Sequence, residues 1–162
     1  MKRVLLLLTM VLAFNLSNAQ DNPADVYVQV GSNMNLAFES SPNFTIGVGV
    51  QHKQWDGTLN YSQIVGVDAQ DYSLSLNRVV ELHSDVDFAF GALIGNVFTN
   101  GDWITNISNP YYSPSASIRV APNSSKRIAL ITEVTLPQSF QQSEFNNEPQ
   151  VSLKLRLNLQ RQ

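Results

Sequence analysis

Val151-Ser-Leu-Lys-Leu-Arg-Leu-Asn-Leu-Gln160 puts an aliphatic residue at every second position and a polar one at each position between. Successive side chains of a strand point to opposite sides of a sheet. Val151, Leu153, Leu155, Leu157 and Leu159 therefore form an apolar ridge, and Ser152, Lys154, Arg156 and Asn158 form the opposite face. About ten residues of tilted strand cross the hydrocarbon core of a bilayer. The stretch is long enough to span a membrane with one face toward lipid.

The same alternation recurs upstream. Turn signals and two-faced segments predict strands at 25–38, 44–54, 57–67, 71–82, 85–98, 111–121, 127–137 and 149–160, and no segment carries a helical period. Val26, Val28 and Val30 alternate with Tyr27, Gln29 and Gly31; Tyr72, Leu74 and Leu76 with Ser73, Ser75 and Asn77; Ile118 and Val120 with Ser117, Arg119 and Ala121. The seventh segment is less regular, since Ile131 falls among Ala129, Glu133 and Thr135 on the polar face. Eight strands of this kind predict an all-β, antiparallel, up-and-down transmembrane barrel.

Alternation alone does not say which face points inward, because a soluble barrel alternates too. Side-chain size favours the membrane arrangement. The polar face is mostly Gly, Ala, Ser, Thr and Asn, which a narrow lumen can hold, whereas the Leu, Val, Ile and Phe of the other face would crowd it. The competing arrangement is a soluble periplasmic or secreted lipocalin-like barrel, with the apolar face lining a cavity for a small apolar ligand.

The amino terminus agrees with export. Lys2 and Arg3 precede the apolar run Val4 to Phe14, and Ser17 and Ala19 occupy small-residue positions before a cut, the pattern of a cleaved signal peptide. Residues 1–19 are excluded from the fold, and 20–162 are expected to form one barrel domain. With no cysteine, the chain has no disulfide, thiol nucleophile or lipoprotein acceptor. A net charge of −3 gives no basic footprint for nucleic acid. Charged residues make up 14% of the chain, below the ~25% usual for soluble domains.

Connection lengths assign the two ends. Short turns belong on the periplasmic side, with both termini, and long loops outside. The second, fourth and sixth connections, around Lys53–Gly57, Leu82–Asp85 and Pro122–Lys126, are short, whereas Thr99–Pro110 and Gln138–Glu148 are the longest and fall on the outer side. Gln63 and Arg78 break the apolar face. A bulge near Asn77 would re-aim Arg78, or its stem would snorkel to the periplasmic headgroups.

Together these features resemble the small OmpA/OmpX-type outer-membrane β-barrels of Gram-negative bacteria, over the whole chain after the signal peptide. The resemblance is one of architecture and implies fold and compartment, the outer membrane, more than activity. In that family the last strand carries an assembly signal, polar-x-Gly-x-x-apolar-x-apolar, normally ending in an aromatic residue. Gln150, Leu155 and Leu157 match it, while Ser152 replaces the glycine and Gln162 the terminal aromatic. The implied partners are outer-membrane lipid and the barrel-assembly machinery.

Strand parity places Asp87, Arg119, Glu133, Lys154 and Arg156 in the lumen, where unpaired charge is costly. A hairpin pairing Gln138 with Pro149 would set Glu133 opposite Lys154, predicting an interior ion pair. His83, Ser84 and Asp85 are consecutive in a tight turn, where alternation points His83 away from Ser84, and His52 has no evident ligand partner, so neither a lipid-modifying active site nor a metal site is expected. No nucleotide or cofactor motif is present. The outer loop from Thr99 to Pro114 offers Trp103, Ile104, Ile107, Tyr111 and Tyr112 as candidates for contact with an extracellular protein or glycan, or as an interfacial girdle. The expectation is a non-enzymatic outer-membrane barrel with a structural or adhesive role.

Overall fold

The computed structural model describes residues 24–35, 43–64, 69–99, 109–122, 127–140 and 149–159. They form β1 (Asp25–Asn35), β2 (Asn43–His52), β3 (Trp55–Ile64), β4 (Ala69–His83), β5 (Val86–Thr99), β6 (Asn109–Val120), β7 (Ile128–Thr135), the two-residue β8 (Gln138–Ser139) and β9 (Gln150–Asn158). Every pairing is antiparallel. Each strand pairs with its chain neighbours, except that β8 pairs with β6 alone and β7 passes directly to β9, and β9 returns to β1. The sheet is closed by eight strands, with β8 extending the line of β7 past Leu136 and Pro137.

The register fixes the shape. From Asp25 the paired residues run through Gln51, Asp56, Asn77, Gly91, Ser115, Thr135 and Gln150 and return to β1 at Asn35, ten residues further along. A stagger of about ten residues at ~3.3 Å each, over eight strands ~4.8 Å apart, inclines the strands by about 40°. The interior is correspondingly narrow. Gly49 shows how narrow, since a Cβ there would collide with the phenol of Tyr27.

The eight expected strands are present, with shifted ends. β2 ends at His52, and a two-residue turn, with Lys53 at φ 54°, lets β3 begin at Trp55 rather than at Gly57. Asp56 thereby enters the barrel wall. The bulge lies between Glu81 and His83 rather than near Asn77, so Arg78 keeps its outward direction. The tight turns at 53–54 and 84–85, the connection 121–127 and both strand ends, Asp25 and Asn158, share one end of the barrel; the connections 36–42, 65–68, 100–108 and 140–149, the last two being the longest, join strand ends at the other.

Burial is inverted relative to a water-soluble barrel. Gln29, Thr45, Asn60, Ser75, Asn77, Ser115, Lys154 and Arg156 are buried, while Leu74, Leu76, Ile94, Ile118, Leu153, Leu155 and Leu157 are each about half exposed on the outer surface. Among the described residues the Val/Leu/Ile face points away from the lumen, whereas a lipocalin-like ligand site would require it to point inward. Ile131 sits inside, as its position in the pattern implies, at 4% exposure. Outward aromatic rings cluster toward the long-connection end, where Tyr61 and Tyr72 lie 5.1 Å apart, Tyr72 and Phe98 5.8 Å, and Tyr112 and Phe140 5.2 Å. Amphipathic rings favour the membrane interface.

This arrangement makes Leu76→Arg a sensitive test. Leu76 is 57% exposed near mid-barrel. In lipid vesicles the substitution should lower the unfolding free energy by about 2–4 kcal/mol in a urea titration, whereas a face meeting water would leave the midpoint where it was.

Candidate functional site: the lumen

The lumen is filled in layers, and its deepest charge is Asp56. β3 turns this carboxylate inward two residues after the tight turn, and it is fully buried. Tyr27 from β1 donates its hydroxyl to Asp56 Oδ1 and also contacts the Thr58 hydroxyl. Arg119 from β6 pairs with Asp56 Oδ2, and Arg156 from β9 reaches the same oxygen from Nη1 at 3.2 Å. The Arg156 guanidinium lies 3.6 Å above the centre of the Tyr27 ring, donates from Nε to Asn158 Oδ1 at 2.7 Å, and from Nη2 to Gln51 Oε1 at 3.0 Å. One carboxylate thus ties together β1, β3, β6 and β9.

Asp87 faces Arg119 directly across β5 and β6 and lines the cavity beneath the cluster. Farther along the barrel, Gln29 donates to Asn60 at 2.7 Å and Ser115 to Asn77 at 2.9 Å. Lys154 forms an ion pair with Glu133, which also accepts from Ser152 at 3.3 Å. The register differs from the expected one by two residues, because Glu133 lies opposite Ser152 and Lys154 opposite Ile131. Lys154 nevertheless reaches Glu133 diagonally, since the long ammonium stem spans one step of the ladder. The five sequence-predicted charges therefore fall into two groups: Asp87, Arg119 and Arg156 near the short turns, Glu133 and Lys154 toward the other end.

Two cavities flank this filling and share no lining residue. One of about 280 Å³ lies at the short-turn end, among Asp25, Glu81, Asp87, Arg119 and Arg156. The other, of about 30 Å³, lies among Asn60, Asp71, Tyr111, Glu133 and Lys154. Between them lie the Asp56 cluster and the amide and hydroxyl pairs.

Asp56, Tyr27 and Asp71 were absent from the sequence-predicted set. Asp56 would have followed from parity had the third strand been started at Trp55. Tyr111 corrects the recognition-loop expectation: it points into the lumen, 8% exposed, and donates to Asp71 Oδ2 at 2.8 Å. Parity explains it, because Tyr111 shares the face of Ser113, Ser115 and Arg119. Tyr112 points outward, against Phe140. Trp103, Ile104 and Ile107 lie outside the described residues. In the Ser84–Asp85 turn, Ser84 Oγ approaches His83 Nδ1 at 3.1 Å, so the two side chains do meet, contrary to alternation, but both are exposed on a turn with no enclosing pocket. His52 is exposed at the end of β2, and no cluster of potential metal ligands occurs among the described residues.

A closed wall, an apolar exterior and a lumen filled with polar and charged side chains define an eight-stranded transmembrane β-barrel. No family model matches the chain, and no curated protein matches it in sequence. Among solved structures it is similar to the de novo designed TMB2.3 in its solution NMR structure (13% identity, covering 88% of this chain and 99% of that one, TM-score 0.64). It is also similar to the N-terminal β-barrel domain of Pseudomonas aeruginosa OprF (9%, 83% and 96%, 0.60) and to the Yersinia pestis outer membrane protein Ail in a phospholipid bilayer nanodisc (9%, 83% and 99%, 0.54). At these identities the likeness is one of fold.

Breaking a buried ion cluster by removing one partner costs about 3–5 kcal/mol, because it strands the remaining charge. Asp56→Asn should therefore lower the urea midpoint of the detergent-folded barrel more than Glu133→Gln, which leaves a single ammonium beside Ser152. Adding Arg119→Met to Asp56→Asn should recover part of the loss, and strict additivity of the two changes would show that they do not interact.

Proposed function

We propose that this chain is a non-enzymatic outer-membrane barrel, exported by a signal peptide over residues 1–19, with a structural role and any recognition confined to the connections opposite the short turns. The observation that carries the reading is the inverted surface: half-exposed Leu, Val, Ile and Phe outside, and a lumen whose ionisable groups are largely engaged with one another. Catalytic acids and bases need access to a substrate, whereas Asp56 and Glu133 are buried in ion pairs. OprF and Ail, one an outer membrane protein by description, lend the compartment support through the shared fold.

The charge of the far end narrows the partner. Glu39, Asp68, Asp102, Glu144 and Glu148 fall in the four connections at that end, which contain no Lys or Arg. Like-charge juxtaposition suppresses association, so a neutral or cationic protein or glycan suits this end better than an anionic polysaccharide.

Because the natural chain has no cysteine, orientation can be read with single introduced thiols. Phe140→Cys should react with a membrane-impermeant maleimide on intact cells, and Ser84→Cys only after the outer membrane is permeabilised. Equal labelling of both in a soluble periplasmic fraction would overturn the proposal.

A further inference from the structure

Arg78 carries its charge on the lipid side of the wall. It lies between Leu76 and Val80 on β4, and its cross-strand partners, Trp55 on β3 and Phe90 on β5, also point outward. No other Asp, Glu, Lys or Arg occupies the outward face of the described strands. Trp55 follows directly on the Lys53–Gln54 turn, so Arg78 is level with the end of β3, while β4 runs on past it through exposed Val80 and Leu82. The guanidinium is thus beside the first residue after the turn, with Val80 and Leu82 beyond it on β4, and its long stem can carry the charge toward the headgroups at that end. The half-exposed indole of Trp55 beside it is a side chain typical of the headgroup boundary.

A guanidinium has five N–H donors in a planar fork. Among the described residues Arg78 donates to one side-chain acceptor, the neutral Gln54 Oε1, 3.2 Å from Nη2, and no carboxylate pairs with it. Gln54 is itself held in place, since its backbone carbonyl accepts from Val79 N at 2.8 Å. With its oxygen committed to Arg78, its amide nitrogen is left to donate. Positive charge in contact with hydrocarbon is expensive and calls for an anionic partner or a route to the headgroups, and the forked donors match two oxygens of a phosphate.

We propose that Arg78, Gln54 and Trp55 form a docking site for the phosphate of a membrane phospholipid in the leaflet at the short-turn end, an inference that rests on the exterior being lipid-facing. The phosphate oxygens meet Arg78 and the Gln54 amide, the indole packs at the glycerol level, and the acyl chains run up the apolar surface over Leu76 and Phe90.

Native mass spectrometry of the mature barrel in detergent, titrated with dimyristoyl phosphatidylglycerol or with dimyristoylglycerol, tests this. The natural chain should retain one phosphatidylglycerol, Arg78→Gln should bind it about tenfold more weakly, since charge-assisted hydrogen bonds are lost, and Arg78→Lys should fall between them. Dimyristoylglycerol, which lacks the phosphate, should bind all three equally. Equal retention of phosphatidylglycerol by the natural chain and Arg78→Gln would overturn the site, as would a dimer that dissociates in Arg78→Gln, since Arg78 would then face a second copy. A heat-dependent shift in cold SDS, required of every variant, keeps the inference separate from its premise: without that shift in the natural chain the lipid-facing reading itself fails.

Discussion

Closure of β9 onto β1 with a ten-residue stagger is the constraint from which the other features descend. An eight-stranded wall at that tilt encloses little volume, so most inward positions must be small or must mesh with one another. Tyr27 fits because Gly49 faces it, and Tyr111 fits because Gly95 does. Bulky aliphatic side chains are left on the other surface, and a surface of that kind is stable in hydrocarbon rather than in water. Closure also removes the free edges that an open sheet would expose in a bilayer.

The filling of the lumen is polar for a related reason. If both faces of the strands were aliphatic, a one-residue slip in register would cost little, because either face could meet lipid. With Asp56, Arg119 and Arg156 on one face and Leu, Val and Ile on the other, a slipped strand would present charge to hydrocarbon. An ion cluster is a poor way to gain stability compared with packed apolar side chains. It discriminates sharply between the two faces of the wall, and that is the property a barrel of this size needs.

The sequence shows the fold more plainly than it shows the site, and the difference has a physical basis. Period-two patterning is repeated along every strand, so Ile131 could be assigned inward despite being aliphatic, and the same rule places Tyr111 inward once it is applied to the end of β6. Register and turn position each depend on one or two residues. The start of β3 at Trp55 rather than Gly57 puts Asp56, on which the network centres, inside the wall, and a two-residue difference in the β7–β9 register sets Ser152 rather than Lys154 opposite Glu133. No local pattern marks Lys53 for the positive φ that makes the tight turn possible, since Asn or Gly is the usual choice. Contacts such as Arg156 to Asp56, one hundred positions apart, have no signature in a single sequence.

That separation bears on how the barrel can form. Asp56 belongs to the third strand and Arg156 to the last, and the wall joins them only when the final strand meets the first. Until then the carboxylate and the guanidinium have no common interior, and each would enter a membrane as an isolated charge at several kcal/mol. Strand-by-strand entry is therefore uphill until the last pairing is made. Assembly is best served when the whole chain curls and crosses together, with the first and last strands meeting as the act that makes the interior exist.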